Sequence, residues 1–234
     1  MKTAALLILG CLVLGGAVSG RTPTGEPSWA FQGEVPVVLV PGWYDTGRAM
    51  AALRIRLVSA GWRPDRVATL TFQEPAGGNR AHARELADSI DAVLARTGAS
   101  QVDVVAHSMG GLATRAYLRE RGGSKVRRVV FLATPHRGTL AAYLAFGRGG
   151  DDMLPDSPFL AWLNAGAPVP PGVEAMTVRT PMDTRILPNE SAVLSGVEDH
   201  LVCCPTHAGL VENLEVFRLV RRFLDDGPLE VLGA

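Results

Sequence analysis

The 234-residue sequence is poor in cysteine, in net charge and in long apolar runs. It holds three cysteines, and the two beyond the first twenty residues, Cys203 and Cys204, are adjacent. Adjacent cysteines rarely form a disulfide with each other, and this spacing fits no zinc site. The shortage therefore excludes a disulfide-framework protein and a structural zinc domain. We expect two thiols on opposite faces of one strand.

Neither sign of charge is in excess, because 23 acidic residues balance 23 basic ones. No net field favours binding to nucleic acid or to an anionic membrane surface. The chain is long enough to bury a sizeable core in one domain, and no internal repeat divides it. We therefore expect a single globular domain without a nucleic-acid partner.

The one extended apolar run lies at the start of the sequence. Lys2 gives a short positive start, residues 4–18 are apolar, and small residues follow at 17–20. This pattern is typical of a secretory signal peptide, and the run is short for a membrane-spanning helix. We predict a signal peptide over 1–20, with an N-terminal anchor as the alternative, then a linker over 21–34 and one domain over 35–234. The protein is then expected to be secreted or periplasmic.

Short β-branched runs alternate with helical patterns along this domain. Strands are predicted over residues 35–40, 66–72, 102–105, 126–133, 174–180 and 201–204. Helices are predicted over residues 48–60, 79–96, 112–120 and 211–224, with Asn79 as the N-cap of the second. This alternation predicts an α/β fold with a mostly parallel six-stranded sheet and helices on both faces. Ligands in such sheets bind at the carboxyl ends of the strands.

The least regular stretch, residues 140–171, carries several large apolar side chains among glycine, proline and aspartate. They are Tyr143, Leu144, Phe146, Leu154, Phe159, Trp162 and Leu163. Two interpretations stay open for this stretch. Either these side chains cover the sheet, or they form a small apolar flap or acyl-binding wall.

Ser108 lies between the third predicted strand and the helix that follows it. Ala106 and Gly110 put small residues two positions on either side of the serine. A serine on such a sharp strand-to-helix turn is a nucleophile elbow, which needs small residues where strand and helix nearly touch. The hydroxyl then projects at the sheet edge, close to the free N–H groups and the positive dipole end of the helix. We predict that Ser108 is a nucleophile.

A serine nucleophile needs a base to take its proton and a carboxylate to orient that base. In elbow folds the acid and then the histidine follow the serine along the chain, each just after a strand. Asp183 follows the fifth predicted strand and His207 the sixth, so we expect both at the edge that holds Ser108. His136, after the fourth strand, is the alternative base, although its turn suggests a residue that shapes or lines the cleft.

The remaining acids and histidines fit these roles less well. Three are expected to be solvated loop acids: Asp151, Asp152 and Asp156. Asp199 and His200 precede the predicted sixth strand and so belong at its opposite end. His82 lies in a helix, and His107 neighbours the serine but points elsewhere from the elbow.

Two backbone N–H groups are candidates for an oxyanion hole. Acyl transfer usually uses the N–H that follows the nucleophile, here Met109, and one from the loop after the first strand, here Trp43. Pro41 in that loop cannot donate, and Gly42 lets the backbone bend without a side chain in the way.

These motifs resemble, in kind and in order, those of bacterial class 2 lipases and triacylglycerol acylhydrolases of the α/β-hydrolase superfamily. They are Val37-Val-Leu-Val-Pro-Gly-Trp43, Ala106-His-Ser-Met-Gly-Gly111, Ala133-Thr-Pro-His-Arg-Gly-Thr139, Asp183-Thr-Arg-Ile-Leu-Pro188 and Thr206-His-Ala-Gly-Leu210. The resemblance implies a triad of Ser108, Asp183 and His207, an oxyanion hole at Trp43 and Met109, and no cofactor or metal. The sequence departs from this pattern at two positions, since many members have histidine where Pro41 stands and Trp43 puts a bulky side chain at the oxyanion loop.

The sequence thus predicts a serine hydrolase that cleaves carboxylic esters, a lipase or esterase, through an acyl-enzyme. The same triad could instead serve a phospholipase, a thioesterase, a polyester depolymerase or an acyltransferase. A protein of another class, an inactive hydrolase fold used as a lipid-binding or adhesion module, is the further alternative. The expected partner is an ester or lipid substrate, with transient contact with a lipid interface, and the oligomeric state does not follow from the sequence.

Overall fold

The computed structural model describes residues 35–225. The predicted signal peptide, linker and last nine residues lie outside this range. Six strands within it form one sheet: β1 (Val37–Val40), β2 (Val67–Thr69), β3 (Val102–His107), β4 (Val126–Leu132), β5 (Glu174–Arg179) and β6 (Glu198–Leu201). Their order across the sheet is β2-β1-β3-β4-β5-β6, and every neighbouring pair is parallel. The carboxyl ends of all six strands therefore meet at one edge.

The α-helices of residues 35–225 lie on both faces of the sheet. They are α1 (Ala51–Ser59), α2 (Asn79–Thr97), α3 (Met109–Arg121), α4 (Gly147–Asp152), α5 (Pro158–Asn164) and α6 (Leu214–Leu224). Short 3-10 turns occur at Gly47–Met50, Pro64–Arg66, Leu140–Leu144, Asn189–Ala192 and Ala208–Val211. None of the helices in this range is both long and apolar enough to cross a bilayer.

The alternation of side chains along β1 divides the core between the two faces. Val38 and Val40 point to the face covered by α2, α3 and α5. Val37 and Leu39 point to the face covered by α1 and α6. All six residues of β3 are buried, as expected for a central parallel strand with helices on both sides. The predicted α/β fold, with a six-stranded sheet between two helix layers, is confirmed.

The sixth strand begins three residues earlier than the sequence predicts, and Asp199 and His200 lie within it. An apolar run does not predict the position of β6 correctly, because β6 is an edge strand without a buried residue. Polar contacts hold it to β5 instead. Asp199 accepts hydrogen bonds from Arg179 Nε (2.9 Å) and Thr177 Oγ1 (2.7 Å).

The prediction for the two cysteines is also wrong. Because β6 ends at Leu201, Cys203 and Cys204 lie in the loop that follows, where the alternation of a strand no longer separates neighbouring side chains. The two are paired in a disulfide, and the peptide bond between them is cis.

The N-cap of helix α2 is Gly78 and not Asn79, which is the first residue of the helix. The N–H of Asn79 donates to Asp152 Oδ2 at 2.7 Å. Asp152 was expected to be a solvated loop acid, but it is 5% exposed and caps a helix distant in sequence. Asp151 and Asp156 are exposed, as expected.

The apolar side chains of the irregular stretch, residues 140–171, fall into two groups, and one of the two interpretations fits each group. Four of its apolar side chains belong to the core on the α2 and α3 face: Leu154, Phe159, Trp162 and Leu163. The other three are exposed at the surface: Tyr143, Leu144 and Phe146. The first group covers the sheet, and only the second is available to a ligand.

Candidate active site

Ser108 connects β3 to α3 with a backbone conformation that few residues other than glycine adopt. Its φ is 53° and its ψ is −128°. Two further non-glycine residues with positive φ, Tyr44 and Ala133, also lie just beyond strands at this edge of the sheet. Strained residues of this kind cluster at functional sites, where the surrounding structure holds them in place.

Small residues allow this turn because the backbone is closely packed around it. A Cβ at Gly110 would overlap the carbonyl oxygen of Pro41, and a Cβ at Gly111 would overlap the side chain of Thr134. A Cβ at Gly42 would come within 3.0 Å of Ser108 Cβ. The loop after β1 therefore passes directly against the serine.

His207 and Asp183, which follow β6 and β5, form a buried pair at the same edge of the sheet. His207 Nδ1 lies 2.7 Å from Asp183 Oδ2, and the two residues are 6% and 5% exposed. Because an ionised carboxylate only accepts, Nδ1 carries the proton and Nε2 is left as the basic nitrogen. The loops after β5 and β6 are also hydrogen-bonded to each other, since Thr180 Oγ1 donates to the carbonyl oxygen of Pro205 at 2.7 Å.

Asp183 is held as a charged acceptor. Burial alone would raise its pKa, but the hydrogen bond and charge of His207, together with the backbone N–H groups of Ile186 and Arg185, lower the pKa below its ordinary value of 3.8. Those two N–H groups both donate to Oδ1 at 2.8 Å. Both carboxylate oxygens are thus occupied, which fixes the side chain in one orientation.

The two predicted oxyanion donors belong to the segments that meet at Ser108, since Met109 follows the serine and Trp43 follows Gly42. Met109 is the first residue of α3, so its N–H has no acceptor within the helix. The N–H of Trp43 has no hydrogen-bond partner within residues 35–225, whereas those of Tyr44 and Asp45 donate to backbone carbonyl oxygens. The indole of Trp43 is held to one side, with Nε1 donating to the carbonyl oxygen of Phe146 at 3.1 Å.

His136, the alternative base, is 1% exposed and lies edge-on to Phe131. Neither of its ring nitrogens has a hydrogen-bond partner in the described part of the chain. Burial, and then the charges of Arg115 and Arg137, hold its pKa well below 6.5. The carboxylate that a catalytic histidine needs is found at His207 and not here.

His107, the residue before the serine, contacts His207, and the sequence did not predict this contact. Its Nε2 lies 3.1 Å from the carbonyl oxygen of His207, and the centres of the two rings are 4.7 Å apart. The alternation of side chains along β3 is the feature of the sequence that could have indicated this contact. His107 shares a face with Val105, which packs on the side of α6 and the turn after His207.

A second polar cluster in the described residues, around Asp152, has a structural explanation. A cavity of about 390 Å³ between α2, α4 and α5 has no lining residue in common with the Ser108 site. Its Asp152 caps α2 and lies 3.5 Å from Arg148. No group of three or more His, Cys, Asp or Glu side chains suited to a metal ion occurs in residues 35–225.

Comparison with known sequences gives short matches to lipases. The chain is 36% identical over 73 residues to a triacylglycerol lipase of Pseudarthrobacter phenanthrenivorans and to one of Burkholderia plantarii. Each match covers 31% of this chain, but only 23% and 20% of the respective lipase. The matched region is therefore less than a quarter of the length of these curated relatives.

Comparison with solved structures shows the same fold over most of the chain. Lipase B of Aspergillus fumigatus has a TM-score of 0.68 at 19% identity, covering 85% of this chain and 54% of that one. The mature lipase BlEst2 of Bacillus licheniformis has a TM-score of 0.69 at 16% identity, covering 87% and 96%.

A family model settles the classification of the chain. The model of the alpha/beta hydrolase fold matches residues 35–179, which include Ser108 and both candidate oxyanion donors and end just before Asp183. This match covers more than half of the sequence. The chain belongs to the alpha/beta hydrolase fold family.

Proposed function

We propose that the protein is a serine hydrolase of carboxylic esters, a lipase or esterase with Ser108 as nucleophile. The observation that carries the proposal is the 2.7 Å contact of His207 with Asp183 at the sheet edge that also holds the strained Ser108. The lipase relatives, matched over part of their length, support an ester or lipid as substrate.

In the proposed mechanism, Nε2 of His207 takes the proton of the Ser108 hydroxyl as its oxygen attacks the ester carbonyl. Asp183 keeps the ring in the tautomer that this step requires and stabilises the imidazolium that forms. The N–H groups of Trp43 and Met109 donate to the negative oxygen of the tetrahedral intermediate.

Collapse of this intermediate breaks the bond to the alcohol, which leaves with the proton held by His207. An acyl-enzyme on Ser108 remains. Water then attacks the acyl carbonyl while His207 takes a proton from it, and collapse of this second intermediate expels Ser108 Oγ, which receives that proton from His207. The carboxylic acid is released, and the protonation states return to those of the resting enzyme.

An apolar rim of exposed side chains, on and beside the loops that carry Trp43 and Asp183, supports a substrate with an apolar acyl group. We define this rim by six residues, each at least 39% exposed: Tyr44, Tyr143, Leu144, Phe146, Met182 and Leu187. Tyr44 and Phe146 are in edge contact, with ring centres 5.1 Å apart, and Phe146 also contacts Trp43. Exposed apolar side chains of this kind are suited to a ligand or membrane contact, so transient binding to a lipid interface is part of the proposal.

The test of the proposal is Ser108→Ala. We expect the kcat for p-nitrophenyl butyrate to fall by about 10⁴-fold or more, because no other nucleophile replaces the hydroxyl. The thermal unfolding midpoint should change little. Ser100→Ala, at an exposed serine in the loop before β3, is the matched control and should keep full activity. Full activity of Ser108→Ala would end the proposal.

The alternatives share the triad and differ in the substrate. Rates with a phospholipid, a thioester, a polyester film and a series of p-nitrophenyl esters from acetate to palmitate distinguish hydrolases of these classes, and transfer to an added alcohol identifies an acyltransferase. A fluorophosphonate probe that fails to label the folded protein would favour the inactive lipid-binding module, because only a working triad activates the serine.

The location of the protein stays a prediction. The apolar run over residues 4–18 favours export to the periplasm or the medium. Mass spectrometry of the protein recovered from these fractions tests it, since cleavage near residue 20 changes the mass, and an N-terminal anchor would instead leave an intact chain in the membrane fraction.

A further inference from the structure

The carbonyl oxygen of His207 accepts a hydrogen bond from the residue next to the nucleophile. His107 Nε2 lies 3.1 Å from that oxygen. A carbonyl only accepts, so the proton of the His107 ring is on Nε2 and its Nδ1 is unprotonated. This side chain is 3% exposed, and its Nδ1 has no partner within residues 35–225. Within residues 35–225, the His107 ring is therefore held by the hydrogen bond from its Nε2.

The ring of His107 remains neutral over the pH range in which an ester hydrolase works. Burial, and then the charge of His207, lower the pKa of His107 to about 3, although the hydrogen bond to the His207 carbonyl and the charge of Asp183 act in the opposite direction. A neutral ring adds no positive charge beside the imidazolium that His207 becomes during the reaction. His107 is also a poor proton acceptor, so it is not a second base.

The contact of His107 with His207 connects two segments that different strands place at the sheet edge. Ser108 is placed by the end of β3, while His207 is placed by a loop that follows the edge strand β6. Asp183 holds the ring of His207 by a hydrogen bond at Nδ1, and this bond does not involve the backbone of His207. His107 holds that backbone from a position one peptide bond away from the serine.

We propose that His107 is a positioning residue, which sets the distance between Nε2 of His207 and the hydroxyl of Ser108 by holding the carbonyl group of His207. This inference rests on the function proposed above for Ser108 and His207. Because proton transfer is sensitive to misplacement, a shift of about 1 Å in the base can lower the rate by about 10²-fold.

The experiment compares His107→Gln with His107→Asn. The amide nitrogen of glutamine reaches as far along the side chain as Nε2 of histidine, whereas that of asparagine reaches only as far as Nδ1. Both variants are polar and neutral, so they differ mainly in whether the His207 carbonyl keeps its donor. His107→Leu, which has no donor, serves as the third variant if the asparagine variant does not fold.

His82 offers a matched control inside the same protein. It is also buried, its Nε2 lies 2.8 Å from the carbonyl oxygen of Glu74, and its ring stacks on Phe72. His82→Asn therefore removes an equivalent hydrogen bond away from Ser108, whereas His82→Gln keeps it. They should lower the unfolding midpoint to a similar extent as the His107 pair and leave kcat per active site unchanged.

Active sites are counted by complete labelling with a fluorophosphonate, and kcat is expressed per labelled site. We expect His107→Asn to retain its sites, label more slowly and lose about 10- to 100-fold in kcat at an unchanged KM, while His107→Gln stays within a few-fold of the original protein. Fewer sites with an undiminished kcat would show a purely structural role and overturn the proposal, as would equal losses in the His82 variants. Failure of the original protein to label at all would instead overturn the proposed function.

Discussion

At the scale of single residues, Asp183 differs from Asp156 and Asp199 because its fully hydrogen-bonded carboxylate faces an imidazole. Oδ2 accepts from His207, and Oδ1 accepts from two backbone N–H groups of the turn that follows. Asp156, by contrast, is an exposed loop acid, and Asp199 pairs with Arg179 within the sheet. Only the first arrangement presents a charged oxygen to an imidazole while leaving its other nitrogen free.

Replacing Asp183 by asparagine should therefore reduce activity far more than it reduces stability. The amide is nearly the same size, but its nitrogen can donate to Nδ1 and so favour the tautomer with the proton on Nε2. That tautomer cannot accept the proton of Ser108, and we expect kcat to fall by about 10⁴-fold. Initial rates on a soluble ester, with Asp156→Asn as the control, measure the effect. A loss below about 10-fold would contradict the assignment of Asp183.

At the scale of secondary-structure elements, the start of α3 is packed directly on the loop that follows β1. The contact is between backbones, since a Cβ at Gly110 would meet the carbonyl oxygen of Pro41 and atoms of Val40. Gly110 directly follows Met109, and Pro41 lies two residues before Trp43, so each contacting residue is next to a candidate oxyanion donor in the chain. The glycine thus connects the packing of two elements to the geometry of the candidate oxyanion hole.

Gly110→Ala should destabilise the protein, because a backbone oxygen cannot rotate away from the added methyl group. We expect a loss of about 1–3 kcal/mol in the free energy of unfolding, as for other overpacked sites. Gly166→Ala is the control, since its Cβ would meet only the mobile end of the Arg119 side chain, and it should change stability by less than about 0.5 kcal/mol. Urea titrations that gave equal values for the two variants would contradict this account.

At the scale of the whole molecule, three of the four buried histidines of residues 35–225 are expected to make the fold sensitive to acid. Burial is the largest cause that lowers the pKa of His82, His107 and His136 below 6.5. Because the unfolded chain binds protons at these positions near pH 6.5 while the folded chain does not, protonation favours unfolding. Their contribution to stability is complete above pH 6.5 and is lost as the pH falls towards the lower pKa of the folded state, about 3 for His107.

The free energy of unfolding should consequently decline as the pH falls from about 6 to 4. Each histidine that takes up a proton only on unfolding contributes a slope of up to about 1.4 kcal/mol per pH unit. His82→Gln keeps a donor for Glu74 but cannot be protonated, so its curve should be less steep by up to that amount. Urea titrations over this range measure the slope. Above pH 7.5 the slopes of the two proteins should coincide, and equal slopes below pH 6 would refute the prediction.

The sequence by itself determined the features that depend on local pattern. Alternating strands and helices predicted the α/β sheet, and the small residues around Ser108 predicted the turn because sterics there act over a few positions. The order of serine, aspartate and histidine, each after a strand, was enough to bring Asp183 and His207 to one edge, since parallel strands end at the same side. Their catalytic roles stay predictions.

Only the tertiary structure decided what depends on contacts between distant segments. The edge strand β6 has no apolar pattern, because pairing with β5 and the Arg179–Asp199 contact define it, and its end point moves Cys203 and Cys204 into a loop. Asp152 caps a helix that lies 73 positions earlier in the chain, and His107 reaches a carbonyl 100 positions later. Hydrogen bonds across such separations leave no periodic trace in the sequence, because folding alone brings their partners together.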